Sequence, residues 1–283
     1  FQDLLDRMRT DYIDLGMIHF VDEAAEFQSI MNGEFMEYVR GLKDQGIIRH
    51  IGMSTHNPAV AKMGALCGEI EMILFSINPA FDMLPASENI EDYFKERYEE
   101  ELGGIAPERA ELYRICEQEE VGITVMKGYA GGRLFSAEAS PFGVALTPVQ
   151  CLHYALTRPA VASVMVGYDT PDHVAAAVAY ESASEEEKDY ATVLAGAPHH
   201  AYAGQCTYCG HCAPCPASID IAMVNKLYDL AVMQNEVPAS LRAHYDGLAA
   251  GAADCIGCGS CETRCPFGVH VVERMGQAKA LFS

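Results

Sequence analysis

Two cysteine runs in the last third of the sequence hold the residues whose types and spacing best indicate chemistry. The first run reads CTYCGHCAPCP and the second reads CIGCGSCETRCP. Thiolates separated by two residues are typical ligands of zinc or of an iron–sulfur cluster. The candidate ligands are Cys206, Cys209, Cys212, Cys215, Cys255, Cys258, Cys261 and Cys265.

The second run favours iron–sulfur over zinc. Its spacing is C-x2-C-x2-C-x3-C-P, the pattern of bacterial ferredoxins. A zinc site needs neither a third cysteine at the same spacing nor a proline after the fourth. The first run departs from the pattern, because two residues rather than three precede its last cysteine. We predict two [4Fe–4S] clusters, with a pair of zinc sites as the alternative.

The ligands are predicted to cross between the runs, because in two-cluster ferredoxins the fourth cysteine of each run binds the other cluster. The first cluster site then consists of Cys206, Cys209, Cys212 and Cys265. The second cluster site consists of Cys255, Cys258, Cys261 and Cys215.

Composition excludes several functional classes. Among 283 residues, 40 Asp and Glu stand against 19 Lys and Arg, a net charge of −21. Such a charge repels phosphate backbones, so no nucleic-acid partner is expected. No apolar run is long enough for a membrane span and no signal peptide is evident, so we predict a cytoplasmic protein.

An acidic helix is predicted near 88–101, as a solvated face or as a docking segment for an electron carrier.

Residues 1–197 alternate short apolar runs with amphipathic stretches, which is typical of parallel strands joined by helices. The predicted strands are Tyr12–His19, Ile47–Ser54, Glu71–Asn78, Gly122–Met126 and Ala162–Gly167. The predicted helices lie near 34–45, 58–68, 107–120, 148–157 and 171–181. Their cysteines, Cys67, Cys116 and Cys151, are predicted to be core residues.

About five βα units indicate a partial (β/α)8 barrel, a TIM-barrel-like α/β fold. A doubly wound open sheet is the alternative, which the lack of a G-x-G-x-x-G sequence weakens. The sequence begins at Phe1 in a helical stretch, which we interpret as a fragment or a processed start. Residues 198–283 form a second, mainly helical domain around the clusters, with helices near 218–234, 238–250 and 268–281.

The strands carry a resemblance to a known family. The sequences TDYIDL before His19, LKDQG followed by RHIGMS, and the stretch from Val161 to Pro171 resemble the fourth, fifth and eighth strand regions of aldo-keto reductases. With the cysteine-rich domain, the chain is similar to the iron–sulfur branch of that family. This resemblance implies a (β/α)8 barrel followed by a ferredoxin domain with two clusters.

The resemblance also implies a reaction, the reduction of a small carbonyl compound by NAD(P)H. Family members use an Asp, a Tyr and a Lys to deliver a proton and a His to orient the carbonyl. Only the His is covered here, as His19, because the other three belong to strands that we do not find in this sequence. A strand-end histidine bonded to a neighbour is the structural alternative for His19.

The nicotinamide contacts that the resemblance implies are partly matched. Ser54 stands at the position of a serine that contacts the carboxamide, whereas Thr55 replaces a common asparagine and Leu74 a common glutamine. Met126 stands where an aromatic ring often stacks, and Lys127 follows it. The remaining candidates are Gly131 and Gly132. Their backbone amides would approach a pyrophosphate, or alternatively the two glycines only form a plain loop.

NADH is favoured over NADPH. Members that prefer NADPH place basic residues after the eighth strand, where this sequence has Asp169, Asp172 and one possible cation, His173. A carboxylate beside the 2′-phosphate would repel it.

We therefore predict an oxidoreductase that couples a reaction at the barrel to an external electron carrier through the clusters. The alternative is an electron-transfer relay or redox sensor that is not an enzyme, with the barrel as a docking module.

Overall fold

The computed structural model describes residues 1–84, 103–199, 202–232 and 236–283. The predicted acidic helix near 88–101 lies outside these ranges.

Five parallel strands form one sheet in the order β1-β2-β3-β4-β5, so that every strand neighbours the next one in the sequence. A doubly wound sheet reverses its strand order at a switch point. A sheet that winds in one direction is part of a barrel. The partial barrel is confirmed and the open-sheet alternative is wrong for the described residues. The strands are β1 Ile13–Ile18, β2 Ile48–Thr55, β3 Met72–Ser76, β4 Gly122–Met126 and β5 Val161–Val164.

Helices cover the sheet and connect its strands along the sequence. Three helices begin with a proline that directly follows the N-cap residue. These N-caps are Asn57, Thr147 and Thr170, and the side chain of each accepts a hydrogen bond from a backbone N–H in the first turn. The helices of this region are α1 Gln2–Met8, α2 Ala24–Met31, α3 Glu34–Asp44, α4 Pro58–Leu66, α5 Pro107–Gln118, α6 Pro148–Leu156, α7 Pro171–Val178, α8 Glu185–Lys188 and α9 Tyr190–Ala195.

The three inner strands carry the barrel core. Their side chains include Ile51, Ile73, Phe75, Ile123 and Val125, all buried. Two cysteines lie in helices around them, and a third, Cys67, directly follows α4. Burial raises the pKa of the Cys116 and Cys151 thiols to about 12 in each case, so both stay protonated at neutral pH. The half-buried Cys67 donates its S–H to the Gly64 carbonyl at 3.1 Å.

The C-terminal domain is mainly helical, with helices α10 Ile221–Ala231, α11 Ala239–Asp246, α12 Ser260–Arg264 and α13 Val271–Leu281. It contacts the barrel after strand β3 and at helix α5. Tyr202 donates its hydroxyl to the Pro79 carbonyl at 2.5 Å, beyond the carboxyl end of β3. Lys226 lies 3.6 Å from Glu117, near the end of α5. Across the described ranges, no helix has the length and apolar character that crossing a membrane requires.

Candidate active site and cluster sites

His19 and Ser54 meet where β1 and β2 end. Strands β1 and β2 are parallel and paired, so their carboxyl ends lie at the same edge of the sheet. His19 directly follows β1, and its Nδ1 lies 3.2 Å from Ser54 Oγ. Catalytic groups of barrel enzymes stand at this edge. The structure thus brings together two residues that the family resemblance had assigned to one site.

Ser54 makes two hydrogen bonds, one of them with His19. Ser54 Oγ accepts the Phe20 N–H at 2.7 Å, and either atom of its 3.2 Å pair with His19 Nδ1 can donate. When the hydroxyl donates, Nδ1 is the acceptor and the proton of the neutral ring resides on Nε2. Because the His19 side chain is exposed, Nε2 can contact a ligand at the sheet edge.

Asp22 anchors the segment that follows β2. Its buried carboxylate accepts hydrogen bonds from the Thr55 hydroxyl at 2.9 Å, the His56 N–H at 2.7 Å and His56 Nδ1 at 3.0 Å. Burial raises the pKa of Asp22, but the bonds and charge of His56 outweigh it and the net direction is downward. Thr55 is 0% exposed and also accepts the Asn57 N–H. Its predicted contact with a nicotinamide therefore finds no support, because the side chain is enclosed in this anchor.

At the end of β4, Met126 and Lys127 occupy different environments. Met126 is half-buried and its carbonyl accepts the Ile77 N–H at 3.2 Å. Lys127 follows with a φ of 59°, and the buried Asn78 fixes this turn by donating its side-chain amide to the Lys127 carbonyl at 2.9 Å. The Lys127 side chain is exposed.

A groove lies beyond β4 and β5 at the same edge of the sheet, and we call it the β4–β5 groove. Lys127, Gly131 and Gly132 line it together with Tyr168, but Met126 does not. The two glycines have φ angles of 66° and 86°, which the local turn itself requires. The Gly132 N–H is already bonded to the Tyr129 carbonyl at 2.9 Å, so it is not a free donor for a phosphate.

Asp169 and His173 also line the β4–β5 groove and form an ion pair with each other. The carboxylate offsets the charge of the histidine when the ring is protonated. Asp172 is exposed in the same turn. This rim of the groove therefore offers little positive charge to a phosphate.

Each predicted set of four cysteines surrounds its own cavity. One cavity is lined by the four residues of the first cluster site. The other is lined by the four residues of the second cluster site. Four thiols around one cavity are the donor set of a [4Fe–4S] cluster, so the residues present fit that group. In the described part of the chain, no three His, Cys, Asp or Glu side chains group closely enough for a single metal ion.

Arg264 joins the two runs. From the second run, its guanidinium donates to the carbonyls of Cys212 at 2.6 Å and Pro214 at 2.8 Å in the first run. Because Cys265 is the next residue, these bonds position the cysteine that crosses to the first cavity. The second run can turn back tightly because Gly257 and Gly259 have φ angles of 66° and 71°.

The two cluster sites differ in exposure. In the first site, burial raises the pKa of the Cys206 thiol to about 11 and that of Cys212 to about 12, so iron binding must displace protons there. In the second site Cys258 is exposed, and the adjacent Ile256 is 69% exposed. The second site therefore lies at the molecular surface, whereas the first faces the barrel.

The sites remain separate in the described residues. Neither cluster cavity is lined by His19 or Ser54 or by a residue of the β4–β5 groove. Two residues that organise these sites, Asp22 and Arg264, are absent from the sequence-based predictions. Each is a single polar residue without a spacing pattern.

Models of two known protein families match the two domains of the chain. The model of the aldo/keto reductase family matches residues 1–147, and that of the 4Fe-4S dicluster domain matches residues 201–269. No curated protein matches the sequence.

Solved structures with a related fold include aldo-keto reductases. One from Bacillus halodurans is 24% identical, with a TM-score of 0.46 over 66% of this chain and 62% of its own. One from Pseudomonas aeruginosa is 19% identical, with a TM-score of 0.42 over 63% of this chain and 54% of its own. The chain thus spans less than two thirds of the length of these structures. The family match covers more than half of the 283 residues. The chain therefore belongs to the aldo/keto reductase family and carries a 4Fe-4S dicluster domain.

Proposed function

We propose that this chain couples the oxidation or reduction of a nicotinamide, or of a small carbonyl or related compound, at the barrel to the transfer of single electrons. The two electrons of that reaction would pass to or from the two cluster sites, one electron for each, with the proton exchanged with solvent. The main support is the contact between His19 and Ser54 at the carboxyl ends of β1 and β2. The same chain carries two cavities that are each lined by four cysteines.

His19 would hold the substrate. With its proton on Nε2, the neutral ring is a hydrogen-bond donor for a carbonyl oxygen at the sheet edge. The bond to Ser54 restrains the ring, so that the donor direction is set before a substrate binds. His19 is the one catalytic residue that the family resemblance assigns within this sequence, and its role is to orient the carbonyl.

The β4–β5 groove has the chemistry expected for the nucleotide. Lys127 can bind a pyrophosphate oxygen, and the rings of Tyr129 and Tyr168 can pack on a base. A bound nicotinamide would supply or accept a hydride. The acidic rim formed by Asp169 and Asp172 favours NADH, because a 2′-phosphate would meet carboxylates there.

The cysteines of the two cluster sites would hold [4Fe–4S] clusters, which supply one-electron redox couples. The exposed Ile256 and Cys258 make the second site the place where an external electron carrier would exchange electrons. The first site, whose four cysteines are half-buried and whose loop contacts Arg158 of the barrel region, would connect this surface to the barrel.

One observation favours a second candidate, the electron-transfer relay. The cluster cavities share no lining residue with the β4–β5 groove, so the clusters are equally placed to serve a partner protein. Nucleotide binding separates the two candidates, because a relay has no need for it.

The test is a fluorescence titration of the intact, cluster-loaded protein with NADH, and competition by NADPH. We expect NADH to bind at least tenfold more tightly than NADPH. Lys127→Ala should weaken the binding of NADH. Lys62→Ala is the control and should leave NADH binding unchanged, because Lys62 lies on α4 in an ion pair with Glu111. Asp172→Asn should reduce the difference in affinity between NADH and NADPH. Equal effects of the two lysine variants, or no binding of either nucleotide, would support the relay instead.

A further inference from the structure

Arg158 is a buried arginine in direct contact with the first cluster loop. It lies between the end of α6 and the start of β5 and is 1% exposed. Its Nη2 donates to the carbonyl of Thr207, which stands between Cys206 and Cys209. The same carbonyl also accepts the Tyr190 hydroxyl at 3.0 Å. The loop that supplies two cluster ligands is thus bound to the guanidinium by one hydrogen bond.

Within the part of the chain that the structure describes, no carboxylate contacts the Arg158 guanidinium. Over the described ranges, Nε and Nη1 of its side chain are buried and have no hydrogen-bond partner. The aromatic rings of Tyr154 and Tyr208 lie 4.5 Å and 5.7 Å from its Cζ. These rings cover the charge without neutralising it.

The carboxylate nearest in the hydrogen-bond network already has another arginine. Asp82 Oδ2 accepts the Tyr154 hydroxyl at 2.7 Å, and its Oδ1 lies 3.5 Å from Arg109 Nη1. Burial raises the pKa of Asp82. Among the described residues, Arg158 therefore makes no ion pair of its own, and Asp82 acts on its charge only without direct contact. A buried charge of this kind is costly unless an anion stands nearby.

The first cluster site supplies that anion, since a cluster held by four thiolates is negatively charged. The Arg158 guanidinium lies beside this site, because the Thr207 carbonyl that it contacts stands between the ligands Cys206 and Cys209.

Arg274 also lies near the first cluster site, but Asp229 offsets its charge in an ion pair of 2.6 Å. Like Arg158, Arg264 makes no ion pair among the described residues, but it is half-buried and also lines the second cavity, so its charge acts on both sites. Among the described residues, Arg158 is the fully buried cation that contacts the first cluster loop without an ion pair.

We propose that Arg158 is a positioning residue that raises the reduction potential of the first cluster above that of the second. Reduction adds one negative charge to a cluster, and a positive charge without an ion pair in a poorly polarisable interior favours that addition. The second site has the exposed Cys258 instead, where solvent screens charge. Electrons that enter at the exposed second site would then settle on the first site, beside the barrel. The inference rests on the clusters alone and not on the nicotinamide reaction.

The test is an anaerobic redox titration with dithionite and mediator dyes, followed by EPR, in which no nucleotide is present. Arg158→Gln should lower the equilibrium constant for one-electron reduction of the first cluster at least tenfold, which equals 59 mV for a one-electron couple. Arg158→Lys keeps the charge and should stay within about threefold of the unaltered protein. Tyr190→Phe removes the other bond to the Thr207 carbonyl without a change of charge, and it should behave like Arg158→Lys.

The two reduction waves are assigned with Ile256→Glu, an exposed substitution beside the second site that moves only the second wave. In otherwise unaltered protein, the wave that this variant leaves in place should be the one at higher potential. This measurement shows which cluster has the higher reduction potential even if Arg158→Gln does not assemble its first cluster. The proposal is overturned if the higher wave moves with Ile256→Glu, or if Arg158→Gln and Tyr190→Phe shift the first wave equally.

Discussion

Cys265 belongs to the second cysteine run, yet it lines the same cavity as Cys206, at the start of the first run. Arg264 stabilises this crossing through its bonds to the carbonyls of Cys212 and Pro214. The two clusters are therefore interlocked by the chain, and neither run can form its site alone.

The crossing predicts which pairs of variants resemble each other. Cys265→Ala and Cys206→Ala should both abolish the EPR signal of the first cluster and remove about half of the iron, since each cluster needs its four thiolates. Cys215→Ala and Cys258→Ala should both abolish the other signal. Iron analysis and EPR of anaerobically purified proteins provide the measurement. If Cys265→Ala loses the same signal as Cys258→Ala, each run holds its own cluster and the crossing is wrong.

Arg264→Ala should make both clusters labile, because it removes the bonds that hold the two runs together. We expect iron release to a chelator to accelerate several-fold, as each lost bond leaves a carbonyl of the ligand loops unpaired. Arg242→Ala is the matched control, since Arg242 also donates to backbone carbonyls, those of Leu281 and Phe282, but away from the cysteines. Equal release rates for the two variants would contradict the role of Arg264.

Ser54→Ala should change the tautomer of His19. Without the hydroxyl, Nδ1 has no donor in the site, and the proton should distribute over both ring nitrogens. Nitrogen NMR of labelled histidine measures this directly, and the loss of the Phe20 bond should cost about 1 kcal/mol of stability. Ser76→Ala at the end of β3 is the control, because the buried Ser76 Oγ has no partner within the described residues. An unchanged His19 spectrum in Ser54→Ala would show that the serine does not orient the ring.

Asp22→Asn should destabilise the protein by about 2 kcal/mol, because three donors lose their charged acceptor in a buried site. The measurement is thermal unfolding with intact clusters. Asp14→Asn is the control, since the pair of Asp14 with Arg49 is solvent-exposed and should contribute less than about 1 kcal/mol. A similar shift of the melting temperature in both variants would argue against the anchor.

The sequence was most informative where a periodic pattern extends over an element. Strand β4 has the predicted bounds, and α3, predicted over 34–45, ends at Asp44. Helix α2 was not predicted, because Glu23 at its start makes no capping bond with its side chain and no proline follows. Helix α8 does carry a signal, the capping box of Ser184 and Glu187, that a closer reading could have used.

The cysteine spacing similarly predicted the sets that line each cavity, since a cluster imposes its geometry on a short segment. Asp22 and Arg158 could not be found this way. Their partners, such as Thr55 and Thr207, are more than thirty residues away in the sequence. Only the packing of strands and helices brings these groups together, and a lone polar residue does not reveal what will enclose it.

The most direct test of the account is an anaerobic titration of the unaltered, cluster-loaded protein with NADH and then NADPH, monitored by visible absorbance and EPR. The account predicts that NADH reduces the clusters and that NADPH does so poorly, because the groove and the cysteine domain act as one electron-transfer system. If dithionite reduces the clusters but neither nucleotide does, the proposed coupling is contradicted, and the chain is an electron-transfer relay.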